Sequence, residues 1–416
     1  MKIKILLISA IAICIQMMEP LQAQVEILSL HISPAGKPEA APVLQLNSQD
    51  ILLLEFDIPG SSAATFSYKL IQCDAQWQPS GLFFSDFQTG FELNPVPAPI
   101  SSINTLFDYQ HYSLQIPNED VEILLSGNYL LELCDPYNSE QIYKQIRFYV
   151  CEQTTTITGS YTPSRNADWM KYRQEIQFNC QLQTPVENPY REIQVVVQQN
   201  RNPITEKQGI QPDYIKGNEL IFSNDANLTW DAGNEFRFFN VNDIRFASEG
   251  IQTINFKENQ YHYKLLPQEK RRFKRFLSYS DINGQFRIDK TQSKEPEREA
   301  DYVWIDLEMP LEAPFLQEDL YLIGEFSNYL PDSDYLCSYN YDKKAYTAKF
   351  MLKQGYYNYL FSLVNKDLDK KLEIDTERLE GNFSATENEY MIFVYYQPAG
   401  ERYQRLIGCK SISRYQ

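Results

Sequence analysis

The run QEIQFNCQL sets Ile176, Phe178 and Cys180 against Gln177, Asn179 and Gln181, an alternation with a period of two. That period puts one set of side chains on each face of a strand and buries only one face. The pattern recurs along the chain, as in HYSLQIP, where Tyr112, Leu114 and Ile116 alternate with Ser113 and Gln115. Runs of this kind, about five to ten residues long and bounded by turn residues, are the strands of sandwiches. With 29 Tyr and 24 Phe in 416 residues and few helix signals, the expectation is an all-β protein of tandem immunoglobulin-like, early-set-like sandwiches.

Such a length exceeds one compact core. The strand runs fall into three blocks: residues 24–150, 151–289 and 302–416. Between the last two lies the stretch 290–301, so charged and polar that it reads as an exposed linker. No period of 20–50 residues repeats, which excludes a solenoid.

The chain opens with Lys2 and Lys4, an apolar run from Ile5 to Ile15, and Leu21-Gln22-Ala23. This is the layout of a signal peptide over residues 1–23, cut after Ala23, and places the mature chain in the periplasm. Ile13 before Cys14 is a poor fit to lipoprotein cleavage. No later segment reaches the ~20 apolar residues of a membrane helix. The formal charge of −17 becomes one unit more negative once Lys2, Lys4 and Glu19 are removed. That balance argues against nucleic acid and anionic membrane surfaces as partners. Cys73, Cys134, Cys151, Cys180, Cys337 and Cys409 remain, an even set that an oxidising compartment permits to pair in ways the sequence does not select.

Chemistry-bearing motifs are scarce. His31, His111 and His262 lie far apart, with no nucleophile elbow to serve. HExxH, P-loop, GxGxxG and CxxC patterns do not occur. Asp332-Ser333-Asp334 and Asp367-Leu368-Asp369 lack the longer loop that calcium needs. Carboxylates are plentiful, but paired acids for glycoside hydrolysis have no evident scaffold. We therefore expect no catalysis, no cofactor, no metal and no small-molecule substrate. KRRFKR, Lys270 to Arg275, is a basic patch in an acidic chain; as a strand it would be a charged edge or a contact for an acidic partner.

One loop stands apart. CDAQWQPSGLFFSDFQTGF, Cys73 to Phe91, carries Trp77, Phe83, Phe84, Phe87 and Phe91 around a Pro79-Ser80-Gly81 turn. Aromatics there either cap their own domain or meet a partner.

IQCDAQWQPSGL, HYSLQIPNEDVEILLSGNYLLEL, NPYREIQVVVQQN, WDAGNEFRFFNV and EGNFSATENEYMIFVYYQPAGERYQRLIG, in this order, resemble the plug protein of the type IX secretion system over nearly the whole mature chain. Gln72 departs from the histidine expected before the Cys-Asp pair. The resemblance implies a periplasmic, non-enzymatic protein that binds the outer-membrane translocon barrel and seals its periplasmic opening between substrates. It would be held at the membrane by its partner and not inserted. Trp77, Phe83, Phe84 and Phe87 are the expected anchors. LYLIGEFSNYL, Leu320 to Leu330, looks like early-set sandwiches that include glycogen- and starch-binding modules, so the alternative is glucan binding through the C-terminal block, with Tyr329 near a sugar-stacking position and Trp304 the one tryptophan of that block.

Overall fold

The computed structural model describes residues 25–223, 226–366 and 372–413, and is nearly all β. The expected signal peptide, Cys14, and the Asp367 to Asp369 stretch lie outside these residues.

The strands of the first sandwich lie between Leu28 and Cys151. One sheet orders the strands Leu28–Pro34, Leu52–Pro59, Tyr109–Ile116 and Ile100–Ser101; the other orders Val43–Gln45, Ile142–Cys151, Gly127–Cys134, Ser67–Cys73 and Asn94–Pro95. Alternation decides which residues meet between the sheets. Leu52, Leu54 and Phe56 from one sheet join Tyr129, Leu131 and Leu133 from the other in a single core, inside which Phe56 stacks on Tyr112 at 4.8 Å.

Beyond residue 151 the strands group differently from the sequence blocks. One sheet of the second sandwich is local, with Thr155–Pro163, Arg173–Leu182, Glu219–Phe222 and Tyr214–Lys216 in order. In its other sheet, Ile193–Gln199 pairs with Tyr390–Tyr396, which pairs with Arg405–Ile412. The last two strands thus close the second domain and not the third. Val195 and Val197 pack with Tyr390, Ile392 and Val394 in the second core.

The third domain is inserted between those parts and starts well before residue 302. Its strands Arg237–Asn240, Ile251–Lys257, Gln260–Leu265 and Phe286–Ile288 share one core with Tyr302–Pro310, Glu318–Ile323, Ala345–Lys353 and Gly355–Asn365. The strand Leu336–Asn340 joins the two faces: Cys337 pairs with Leu320, and Tyr339 pairs with Tyr346.

The stretch 290–301 is not a free linker. It forms the short helix Pro296–Glu299 and is pinned against the first sandwich: Arg298 O accepts from Ile103 N at 3.0 Å, and Ala300 O accepts from the Tyr109 hydroxyl at 2.8 Å. Lys294 and Glu295 face outward, whereas Asp301 is buried and its carboxylate accepts from Leu106 N at 2.8 Å and Phe107 N at 3.0 Å of the neighbouring domain. Composition reports only the first of these facts.

Candidate partner-binding surface

The Cys73 to Phe91 loop divides its aromatics between interior and exterior. Asp74 begins it by accepting from the backbone N–H groups of Gln76 and Gln78, both at 2.9 Å, an Asx-type turn that holds the chain in a tight bend. Trp77 sits in that bend at φ 63°, a conformation a bulky residue adopts only under constraint. The constraint is packing. The indole meets Tyr149 edge-on at 5.2 Å, lies under the Arg147 guanidinium at 4.5 Å, and is buried where the first sandwich touches the second. There Tyr149 stacks on Phe393 at 4.3 Å, the Tyr395 hydroxyl donates to Asn128 Oδ1 at 2.7 Å, and Arg405 Nε donates to Glu152 Oε1 at 3.0 Å. Trp77 is thus an interdomain residue and not an exposed anchor.

Phe87 is also interior, on the short helix Phe84–Phe87, edge-on to Tyr129 at 5.9 Å in the first core. Phe84 is half-buried against that core. Phe83 and Phe91 face outward, at 73% and 76% exposure. Leu124, also exposed, is drawn to the same loop by its N–H, which donates to Phe87 O at 2.8 Å. Of the four expected anchors the structure leaves Phe83 free and Phe84 partly so, and Phe91 and Leu124 join them. Phe91 was in view in the sequence; Leu124 lies far along the chain and carried no local sign. Gln72 is buried beneath this loop, and its amide donates to Ser126 O at 3.4 Å. The next residue, Gly127, takes φ 136°, and a Cβ there would lie 2.4 Å from the Gln72 amide nitrogen. The side chain at position 72 is therefore a packing element.

The glucan reading meets a direct obstacle. Asn328 and Tyr329 both take left-handed backbone, at φ 53° and 58°, which turns the Tyr329 ring inward to 3% exposure. Its hydroxyl accepts from Gln285 Nε2 at 2.7 Å and donates to Asn200 O of the second sandwich at 3.2 Å. Trp304 donates from Nε1 to Gln260 Oε1 at 2.6 Å and lies under Lys349 Nζ at 4.8 Å. Neither ring offers an open face for a sugar.

KRRFKR adopts no strand. Arg271 turns inward, where with Arg237 it brackets the buried Glu380 carboxylate at 2.7 and 3.0 Å. Burial pushes that carboxyl upward, but the two guanidinium groups outweigh it and hold it below the ordinary value. Phe273, between Arg272 and Lys274, points out.

His31 and His111 serve the contact between the first and third domains, whereas His262 stacks on Trp304 within the third. Burial lowers the His111 pKa, yet hydrogen bonds donated to Asp57 at 2.8 Å and to the nearby Glu55 raise it above its usual value overall. His31 behaves likewise: burial lowers it, and Glu325 at 3.4 Å, the Pro38 carbonyl and Glu55 together raise it by more. Asp57 also accepts from the Tyr302 hydroxyl at 2.7 Å and pairs with Lys353. A cleft of about 520 Å³ opens beside this network, lined by Ser33, Glu55, His111, Arg287 and Arg298 among others. Its charges are answered across the seam; Arg287, for example, pairs with Glu39. No group of three or more metal-ligating side chains occurs among the described residues. Asp332 is occupied capping a short turn, accepting from Asp334 N at 3.0 Å. The described cysteines are all free thiols, five of them buried.

With this geometry in view, residues 27–152 match the family profile described as type 9 secretion system plug protein, 1st domain. The first sandwich belongs to the type 9 secretion system plug family. The loop bearing Phe83 and Phe91 therefore lies inside the plug domain. A hypothetical protein from Parabacteroides merdae, known from a crystal structure, superposes on this chain with a TM-score of 0.87 at 29% identity, covering 93% of this chain and 97% of that one. The likeness extends through all three domains. An alkylpurine DNA glycosylase of Pseudomonas fluorescens bound to abasic-site DNA matches 31% of this chain and 30% of its own at 11% identity with a TM-score of 0.18, too low to bear on fold or function. No curated protein matches the chain.

Proposed function

We propose that this chain is a plug subunit of the type IX secretion system, a non-catalytic envelope protein that binds the outer-membrane translocon barrel from the periplasm and closes it while no substrate is in transit. The observation that carries the reading is the plug-family first domain over residues 27–152. The physics suits the role. A barrel wide enough for folded cargo needs a broad, unyielding body at its mouth, and here three domains lock together through buried contacts that resist relative movement. Phe83, Phe84 and Phe91, with Leu124, are the proposed anchors, since aromatics emptied from water at the centre of an interface carry much of its binding energy. No helix among the described residues is long and apolar enough to cross a membrane.

The test is affinity purification of a C-terminally tagged chain from gently solubilised envelopes of its host, with mass spectrometry of what comes with it. Recovery of a very large outer-membrane barrel protein supports the reading. Recovery only of polysaccharide-handling proteins, or of nothing, overturns it.

A further inference from the structure

A ridge at the junction of the second and third domains turns large apolar side chains outward. The hairpin between Thr155–Pro163 and Arg173–Leu182 bends through Trp169, Met170 and Tyr172, all exposed. Lys171 O in that bend accepts from Ser384 N at 2.9 Å. One residue earlier, the Phe383 ring meets Phe276 at 5.5 Å, which brings the loop from Arg271 to Leu277 alongside. Leu379 O fixes the base of that loop by accepting from Arg271 N at 2.7 Å and Arg272 N at 3.1 Å. On it, Phe273 is 91% exposed and Leu277 71%. Three tips from one domain and two from the other thus border a single strip of chain, residues 379–384.

Basic side chains are interleaved with these tips. Lys171 and Arg275 are exposed and have no carboxylate partner among the described residues. Arg173 covers Trp169 at 4.5 Å, and Arg272 lies 5.3 Å over Phe273. Arg272 and Lys274 also reach Glu377 and Glu269. With Asp231 on Arg173 and exposed Asp168 beside Trp169 counted, the ridge keeps only a small positive excess in a chain of formal charge −17. The remaining negative charge acts on it weakly, because exposed charges beyond about 8–10 Å are screened at physiological salt.

We propose that this ridge docks directly on a phospholipid surface, with Trp169, Met170, Tyr172, Phe273 and Leu277 entering the headgroup boundary and Lys171 and Arg275 meeting lipid phosphates. Shape favours lipid over a protein partner. The apolar groups stand at loop tips, from 40% exposed at Trp169 to 91% at Phe273, so a protein would need a matching pocket for each, whereas a bilayer yields around any of them. The amphipathic rings of Trp and Tyr suit the headgroup level, and basic neighbours add attraction to anionic lipid. The inference stands apart from barrel binding, since it concerns the purified chain and lipid alone.

The experiment is co-sedimentation of the purified mature chain with phosphatidylcholine vesicles, with and without phosphatidylglycerol. Binding to the phosphatidylglycerol vesicles that weakens with salt is expected. The pair Phe273→Ser and Leu277→Ser should lower partitioning on the order of tenfold or more, from the apolar area withdrawn. Lys171→Glu with Arg275→Glu, exposed changes that leave the fold intact, should abolish the preference for anionic vesicles. Absence of sedimentation with either vesicle overturns the proposal, and so does binding that both variant pairs leave unchanged. If the ridge variants lose an envelope protein partner while the parent chain never sediments with lipid, the ridge is a protein-docking surface instead. Loss of vesicle binding with barrel capture intact would separate this surface from the plug contact.

Discussion

Asp57 of the first sandwich and Lys353 of the inserted domain form an ion pair whose side chains are 1% and 2% exposed. His111 and Tyr302 complete the carboxylate's partners, so the pair is hydrogen-bonded on several sides, as a buried charge must be to persist. Breaking it from one side leaves an uncompensated charge. Asp57→Ala or Lys353→Ala should each cost about 3–5 kcal/mol, and the double variant should cost clearly less than the sum. Urea unfolding of the three variants measures this, and additive losses would mean that the two residues do not act as a pair.

The pH dependence has a definite sign. His31 and His111 are raised above 6.5 in the folded chain, so their stabilising contribution is complete below that pH and is lost as pH climbs through their folded values. Glu235 adds to the same limb: burial pushes its carboxyl up from 4.5 to about 8, so folding must either retain a proton or bury a charge across that interval. Glu325 and Glu380 are lowered, and their contribution disappears only on acidification below 4.5. Unfolding free energy should therefore be greatest near pH 4.5 and fall toward alkaline pH, more steeply once the histidines also titrate. Glu235→Gln should lose less stability than the parent between pH 6 and pH 9; identical slopes would refute that account.

Trp77 and Phe83 should behave oppositely. Trp77→Ala empties the junction of two domains and should cost about 3–5 kcal/mol. Phe83→Ser with Phe91→Ser should change stability by no more than about 0.5 kcal/mol each while weakening barrel capture. Thermal melts and the tagged pull-down, run on the same three proteins, distinguish the two classes. A stable Trp77→Ala variant would show that the seam contributes little.

The thiols should be silent until the chain unfolds. Burial pushes Cys73 up to about 11 and Cys151 and Cys180 up to about 12, so little thiolate forms at neutral pH. A chromogenic disulfide reagent should react slowly with native protein and with all six mature thiols in denaturant. Rapid labelling of the native chain would point to breathing of the cores.

The strands were legible because burial on one face writes itself into every second residue, as at Ile176, Phe178 and Cys180. Their partners were not. EYMIFVYYQ and IQVVVQQ are apolar on both faces, since Val195 faces the second core while Val196 faces the seam with the first sandwich. Two-sided burial marks a central strand and is mute about which strand lies next to it. The aromatic loop failed in the same way. Composition counts Trp77, Phe83 and Phe87 alike, and only the turn built on Asp74 and the helical pitch of Phe84–Phe87 sort them into inside and outside. Tyr329 misled because a loop outline is local, whereas its hydroxyl partner, Asn200, is in another domain.

Because Ile193–Gln199 finds its mate only at Tyr390–Tyr396, the second sandwich cannot be finished in the order in which the chain is made. The first sandwich can condense as it emerges, and the inserted domain holds its own core between two halves of an unfinished neighbour. Every residue up to the final hairpin must be made before that neighbour closes. During that wait the strand Ile193–Gln199 stands open to any strand that passes, and this is the stage at which a chaperone would have most to protect.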